Sequence, residues 1–352
     1  MAVTICLFLG LHYCFLYTQN RLSNILLGFI FIALGFSIAS EALEYYFDHP
    51  VYDIVALIFN SPLLFVTILL YYASTVTQTW KTNWPIHKRF LLLVLADILL
   101  AFILFIFQIE PHPILFGLYF TVIGAINLYM LYLILKQIDL HNKHIRNLFS
   151  SIENKQLNWL RLLAVINMGF IVFWWMDDTL AALIGDNLLS GIISELSIYF
   201  TVINVIWMGY ASLRQPVIFE TEPEVFFTEE PAKETQQPSS DDRATFKRIQ
   251  KQIENQQLYT HPTLSLKSLA DTLEMRDREL SRIINQCYGH NFYHFINAYR
   301  VAHFKEAFSN GQNQHLSIMG LATEAGFKSK STFYAAFKKM EGITPREFAE
   351  KT

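Results

Sequence analysis

Seven stretches of this 352-residue chain are long, apolar and almost free of charge: about 2–17, 23–40, 51–73, 90–109, 113–135, 159–184 and 188–212. A helix crossing about 30 Å of hydrocarbon needs roughly 17–25 apolar residues, so each run qualifies or nearly does. A buried soluble core does not supply seven such runs separated by short polar loops. The first run is the weakest, being short and holding His12. It lacks a positive n-region, which speaks against a cleavable signal peptide. Either it inserts with its N-terminus outside, or the start of the protein lies upstream of Met1.

Charge sorts the chain into three segments. Residues 1–214 hold 10 Lys/Arg and 12 Asp/Glu, 215–240 hold one Lys against six Glu, and 241–352 hold 16 Lys/Arg and 12 Asp/Glu. The overall net charge of −3 is therefore a sum of −2, −5 and +4. This distribution and three Cys exclude a single soluble globule and a disulfide scaffold. A membrane domain (1–214), an acidic linker (215–240) and a mildly basic soluble domain (241–352) are expected.

The positive-inside rule tests the orientation. With seven spans and a cytoplasmic C-terminus, all ten basic residues of the membrane part fall on one side: Arg21, Lys81, Lys88, Arg89, Lys136, Lys143, Arg146, Lys155, Arg161 and Arg214. The opposite loops hold Glu41, Glu44, Asp48, Glu110 and Asp186, with no Lys or Arg. A multi-pass protein of a bacterial cytoplasmic (inner) membrane is expected, with its N-terminus outside and its C-terminal domain in the cytoplasm.

Ionisable groups within spans are costly and point to function. Asp53 and the pair Asp177–Asp178 lie toward the outer ends of spans three and six, and Glu195 about a third of the way into span seven. With Glu41 and Glu44 they are placed to line an acidic outer mouth for a cation or a cationic or hydroxylated signal ligand. The plain alternative stays open: acids gather where basic residues are excluded, and Trp174 and Trp175 mark the interfacial belt. Asp97, in the inner part of span four, is placed to pair with Asn or Ser of a neighbouring helix. The last span has no Lys for a retinal Schiff base. His141 and His144 lack the Cys or carboxylate neighbours of a metal site. Cys6 and Cys14, two turns apart on one helix, are too distant for a disulfide. No nucleophile–base constellation is visible, so neither an enzyme nor a cofactor is expected.

The linker, QPVIFETEPEVFFTEEPAKETQQPSS, spaces Pro216, Pro223, Pro231 and Pro238 among acids. It cannot bury a core and is expected to be extended or disordered, with an r.m.s. reach of roughly 25–31 Å. Its Val225-Phe226-Phe227 patch is the exception, suited to docking on a neighbour.

The C-terminal segment repeats itself. Leu264-Ser265-Leu266, Leu269-Ala270, Gly289 and Phe295 return as Leu316-Ser317-Ile318, Leu321-Ala322, Gly342 and Phe348. Repetition of this kind means one supersecondary unit used twice. Ser265 and Ser317 are placed as helix caps, with Leu264/Leu269 and Leu316/Leu321 as the staple. A turn follows at 274–277 and at 326–329. The second helices carry Leu280, Ile283 and Ile284, and Phe333, Ala336 and Phe337, on one buried face. Gly289 and Gly342 suit left-handed helix ends, and Thr344-Pro345 a new start. Two helix-turn-helix units, at about 265–289 and 317–342, are expected. Their outer faces are basic: Arg276, Arg278, Ser281 and Arg282 on the first, Lys328, Lys330, Ser331 and Thr332 on the second. Arg suits bidentate guanine recognition, and Lys more often holds phosphates.

These residues resemble the DNA-binding domain of AraC-type (AraC/XylS) transcription regulators over about 246–350. LATEAGFKSKSTFYAAFKKMEGITPREF is similar to the family's second unit, and SLADTLEMRDRELSRIINQCYGHNFYHFINAYRVAHFKEAF to its first unit and connecting helix. The resemblance implies two units bridged by a rigid helix, here about 292–308. Such a bridge lets both reading helices enter successive major grooves. It also implies base reading by Arg278, Ser281 and Arg282 in the first unit, and by Lys330, Ser331 and Thr332 in the second. Glu274 departs from the family's turn glycine; Ala335 departs from its usual polar reader, which implies that the second unit reads fewer bases.

The expected architecture is thus all-α: a seven-helix transmembrane bundle followed by a soluble all-α domain with two helix-turn-helix units joined by a long helix. The expected function is a membrane-bound transcription regulator. Its expected partners are promoter DNA, RNA polymerase, the lipid bilayer and a second copy of the chain. The alternative is a transporter or channel with a regulatory cytoplasmic domain. Against that alternative, the spans show no repeat and no Gly/Pro-broken pair.

Overall fold

The computed structural model describes residues 2–16, 21–46, 50–109, 112–152, 155–184, 188–213, 238–311 and 316–351. Among them the secondary structure is helical, with no strand and one isolated antiparallel bridge between Phe149 and Ser265. They form two compact units. The first takes in the described residues up to Leu140 and from Leu157 to Leu213. The second joins His141–Gln156 to the described residues from Pro238 to Lys351.

The apolar runs of the first unit become α1 (Ala2–Phe15), α2 (Arg21–Tyr46), α3 (Pro50–Phe59), α4 (Leu64–Val76), α5 (Trp80–Ile106), α6 (Pro113–Leu148), α7 (Asn158–Ile184) and α8 (Leu188–Leu213). Four described stretches are long and apolar enough to cross a membrane: Arg21–Ser40, Asp53–Val76, Lys81–Ile106 and Gly117–Leu148. Three shorter apolar helical stretches accompany them: Ala2–Phe15, Asn158–Phe173 and Val202–Ala211. α1 and α2 cross with their backbones in contact, since a Cβ on Gly28 would stand 2.7 Å from the Gly10 carbonyl oxygen. Glycines at the crossing allow this closeness, since neither carries a Cβ to hold the backbones apart. α5 turns Leu91, Leu92, Leu95 and Leu99 outward, each 48–58% exposed.

One expectation is corrected here. The third apolar run is broken: α3 stops at Phe59 and α4 begins at Leu64. Pro62 has no N–H to continue the ladder and disfavours helix at Ser61. Polar groups at the break find partners on other helices: Asn127 Nδ2 donates to the Pro62 carbonyl (3.0 Å) and the Ser61 hydroxyl to Asp97 Oδ2 (2.6 Å). Asp97 does pair with a Ser, as its position suggested.

The second unit contains α9 (Ser240–Asn255), a 3-10 turn (Leu258–Thr260), α10 (Leu266–Thr272), α11 (Asp277–Tyr288), α12 (Phe292–Ser309), α13 (Ile318–Glu324), α14 (Lys330–Glu341) and α15 (Pro345–Lys351). The caps fall where the repeat placed them. Ser265 Oγ accepts from Ser268 N, and Ser317 Oγ from Gly320 N. Gly289 and Gly342 end α11 and α14 at φ +82° and +75°. The 18 residues of α12 span about 27 Å and serve both repeats. Near its start Phe295 packs on Phe246 and Tyr288. Further along, Phe304 packs on Phe333 and Phe337, inside a core that includes Leu321, Phe327 and Phe308.

Candidate nucleic-acid interface

The residues expected to read DNA lie on or beside the second helix of each repeat, α11 and α14. On α11, Arg276, Arg278 and Arg282 are exposed, whereas Ser281 is 8% exposed. On the second unit Lys328, Lys330 and Ser331 are exposed, and Thr332 is 4% exposed. Ser281 and Thr332 are therefore packed largely inward rather than presented on the outer face. Their positions lie next to the buried Leu280 and Phe333, and each helix has rotated them with its core face. Ala335 is exposed and offers no polar group. Lys338 and Lys339 extend the basic face, with Lys339 Nζ 2.8 Å from His294 Nε2. Burial, and then Lys339, hold the His294 imidazole down at about 4, so it is neutral at physiological pH and accepts that bond.

Arg282 is engaged. Its Nη2 donates to Asp242 Oδ1 (2.7 Å), and its Nη1 to Asp242 Oδ2 (3.1 Å) and to Gln286 Oε1 (2.8 Å). Asp242 is itself fixed, because it completes the Ser239 capping box of α9. The fork that suits guanine is thus occupied by a carboxylate from α9, a helix to which the sequence assigns no role. The Arg282 bonds, then those to Ser239, hold the Asp242 carboxyl well below the usual range. A depressed carboxyl keeps its pair above its ordinary value and loses it only in strong acid, so the pair persists at neutral pH. Asp242→Asn is expected to raise DNA affinity by about two- to fivefold, the scale of an exposed ion pair. Fluorescence anisotropy with DNA selected by the wild-type chain would measure it. A fall in affinity would mean that Asp242 aims Arg282 rather than withholding it.

Polar groups also converge in the first unit. The break between α3 and α4 opens on a cavity of about 400 Å³, lined by Asp53, Asn60, Ser61, Asp97 and Tyr119 among others. Asp97 is 8% exposed and accepts from both Ser61 Oγ and Tyr119 Oη. Asp53 and Asp97 were placed at opposite ends of their spans by sequence. They share this cavity because α5 starts at Trp80, which carries Asp97 about 26 Å along the helix. Of the acidic-mouth residues, Asp53 alone has a described side chain. Glu41, Glu44, Asp177, Asp178 and Glu195 lie on α2, α7 and α8, with side chains outside the described ones. No group of three or more potential metal ligands occurs among the described residues.

Residues 269–351 match a family model described as a helix-turn-helix domain. The chain is 28% identical over 92 residues to an uncharacterized HTH-type transcriptional regulator of Staphylococcus aureus strain COL. The same identity and length hold for one from strain MSSA476. The match covers 26% of this chain and 12% of each relative's length. No solved structure matches the chain. The C-terminal part is a helix-turn-helix domain.

Proposed function

We propose that the chain is a membrane-embedded transcription regulator, in which seven spans receive a signal and the tandem helix-turn-helix units bind promoter DNA. The observation that carries the DNA-binding half is two capped helix-turn-helix units on one 18-residue helix, with Arg278, Lys328 and Lys330 exposed on their reading faces. The outward leucines of α5 and the one-sided Lys/Arg distribution support a bilayer, with the second unit on the cytoplasmic side. The chain acts by binding rather than catalysis, with RNA polymerase and a second copy as partners.

The test is DNA selection by the full chain in lipid nanodiscs, followed by titration at several salt concentrations. Affinity should fall steeply with salt, as phosphate contacts require. Arg278→Ala should cost about 1–3 kcal/mol at its base and relax preference there. Unchanged discrimination between sites would remove Arg278 from the reading set.

The break at Pro62 between α3 and α4, a single interrupted run where the sequence suggested none, supports a second reading. Discontinuous helices with a buried carboxylate also occur at transport sites. Flux of a small cation into vesicles, abolished by Asp97→Asn, would favour a transporter. Without flux, the cavity serves the regulator as its signal site.

A further inference from the structure

α6 is longer than a bilayer requires. Its 36 residues span about 54 Å, against about 30 Å of hydrocarbon. Its last two turns and the residues that follow pack within the second unit. Ile145, Leu148 and Ile152 are buried there at 0%, 7% and 5% exposure. Phe149 pairs with Ser265 in the isolated bridge, and Ser150, fully buried, donates from N and Oγ to the Leu264 carbonyl (3.2 and 2.6 Å).

Ser150 also meets α12. Arg300 is fully buried and forms no ion pair with a described carboxylate. An Arg side chain carries five N–H donors, and each has an acceptor here. Nε donates to the Tyr259 carbonyl (2.7 Å), and Nη2 to the His261 carbonyl (2.8 Å) and Ser150 Oγ (3.0 Å). Nη1 donates to Asn297 Oδ1 (3.2 Å) and the Ser150 carbonyl (3.3 Å), and Asn297 Nδ2 reaches the same carbonyl (3.3 Å). Two of the five acceptors thus come from the segment after α6. The far side of the clasp is the turn of the second helix-turn-helix unit. Arg300 lies over the Phe327 ring (5.8 Å), and the Tyr259 carbonyl oxygen stands 2.5 Å from where a Cβ of Gly326 would be.

We propose that residues 141–152 are the transmission element of the chain. They dock on a surface of the DNA-reading unit formed by Leu264, Asn297 and Arg300. Through Arg300 they set the 326–329 turn that aims α14. A displacement of α6 then reaches the reading helix along packed contacts and needs no passage through the acidic linker. This rests on the DNA-binding reading above, and it assigns the intramolecular partner and the route.

The test uses the full chain in lipid nanodiscs, comparing wild type with Ser150→Ala and with Ser151→Ala as control. Hydrogen exchange at 258–264 and 326–327 should quicken at least about tenfold in Ser150→Ala, which removes both buried hydrogen bonds made by Ser150 Oγ. It should stay unchanged in Ser151→Ala. Affinity for DNA selected by the wild-type chain should fall roughly three- to thirtyfold, the range of coupling between linked sites. Unchanged exchange in Ser150→Ala overturns the docking whatever DNA does. Faster exchange with unaltered affinity overturns the transmission role and leaves a packing contact. A wild-type chain that selects no DNA removes the regulator reading itself, and the exchange rates then decide the docking on their own.

Discussion

Replacing Arg300 with methionine in the full chain is expected to lower the stability of the second unit by about 2–4 kcal/mol. The methionine fills the stem's volume but takes the guanidinium donors from the Tyr259 carbonyl, Asn297 Oδ1 and Ser150 Oγ, while the His261 carbonyl keeps the Leu264 N–H (3.2 Å) and the Ser150 carbonyl keeps Asn297 Nδ2 (3.3 Å). A buried acceptor stripped of its partner costs about 1–3 kcal/mol. Relief from burying a charge offsets part of that total, since burial has already pulled the guanidinium down to about 10. It is still charged at neutral pH, held by oxygen dipoles and the face of the Phe327 ring. Arg300→Lys keeps the charge but offers three donors in place of five, so it should recover less than half of the loss. Two units do not unfold in one transition, so the readout is the opening free energy of α12 amides by native-state hydrogen exchange. Equal opening energies in wild type and Arg300→Met would show that the five bonds carry no net stability.

The tandem repeat was legible because its signals are local. Ser265 and Ser317 act on backbone three residues away, and Gly289 and Gly342 end their own helices. The helical apolar runs were legible for the same reason, with composition and length deciding. What escaped depends on contacts across long separations. Asp242 and Arg282 are 40 residues apart, and Ser150 and Arg300 are 150 apart. No spacing rule couples such pairs. A faint signal did exist for the docked segment: Ile145, Leu148 and Ile152 recur at helical spacing beyond the apolar run, set among the charges of Lys143 and Arg146. The break in the third run had a clearer one, Asn60-Ser61-Pro62 amid apolar residues. Hydropathy averaged over the run hid it. The burial of Ser281 and Thr332 was out of reach, because a one-residue rotation on a helix separates a reader from a core position.

Gly326→Ala is expected to cost about 2–4 kcal/mol in the second helix-turn-helix unit and to abolish its contribution to DNA binding. Two costs add. The residue sits at φ +95°, where a Cβ is strained. The added Cβ would also stand 2.5 Å from the Tyr259 carbonyl oxygen and 2.8 Å from two backbone atoms of Thr260. Backbone on both sides cannot yield as a side-chain tip would, so the turn itself must move. The first repeat provides the control. Glu274 occupies the equivalent turn at φ +54° with its side chain exposed, so that turn bears the conformational strain without the steric one. Glu274→Gly should therefore change stability by less than about 1 kcal/mol, in the stabilising direction. Footprinting on selected DNA separates the two repeats. Gly326→Ala should shorten the protected region to the half read by α11, and Glu274→Gly should leave both halves protected. If Gly326→Ala retained the full footprint, the second reading helix would not depend on the turn against which Arg300 and the 3-10 segment are packed.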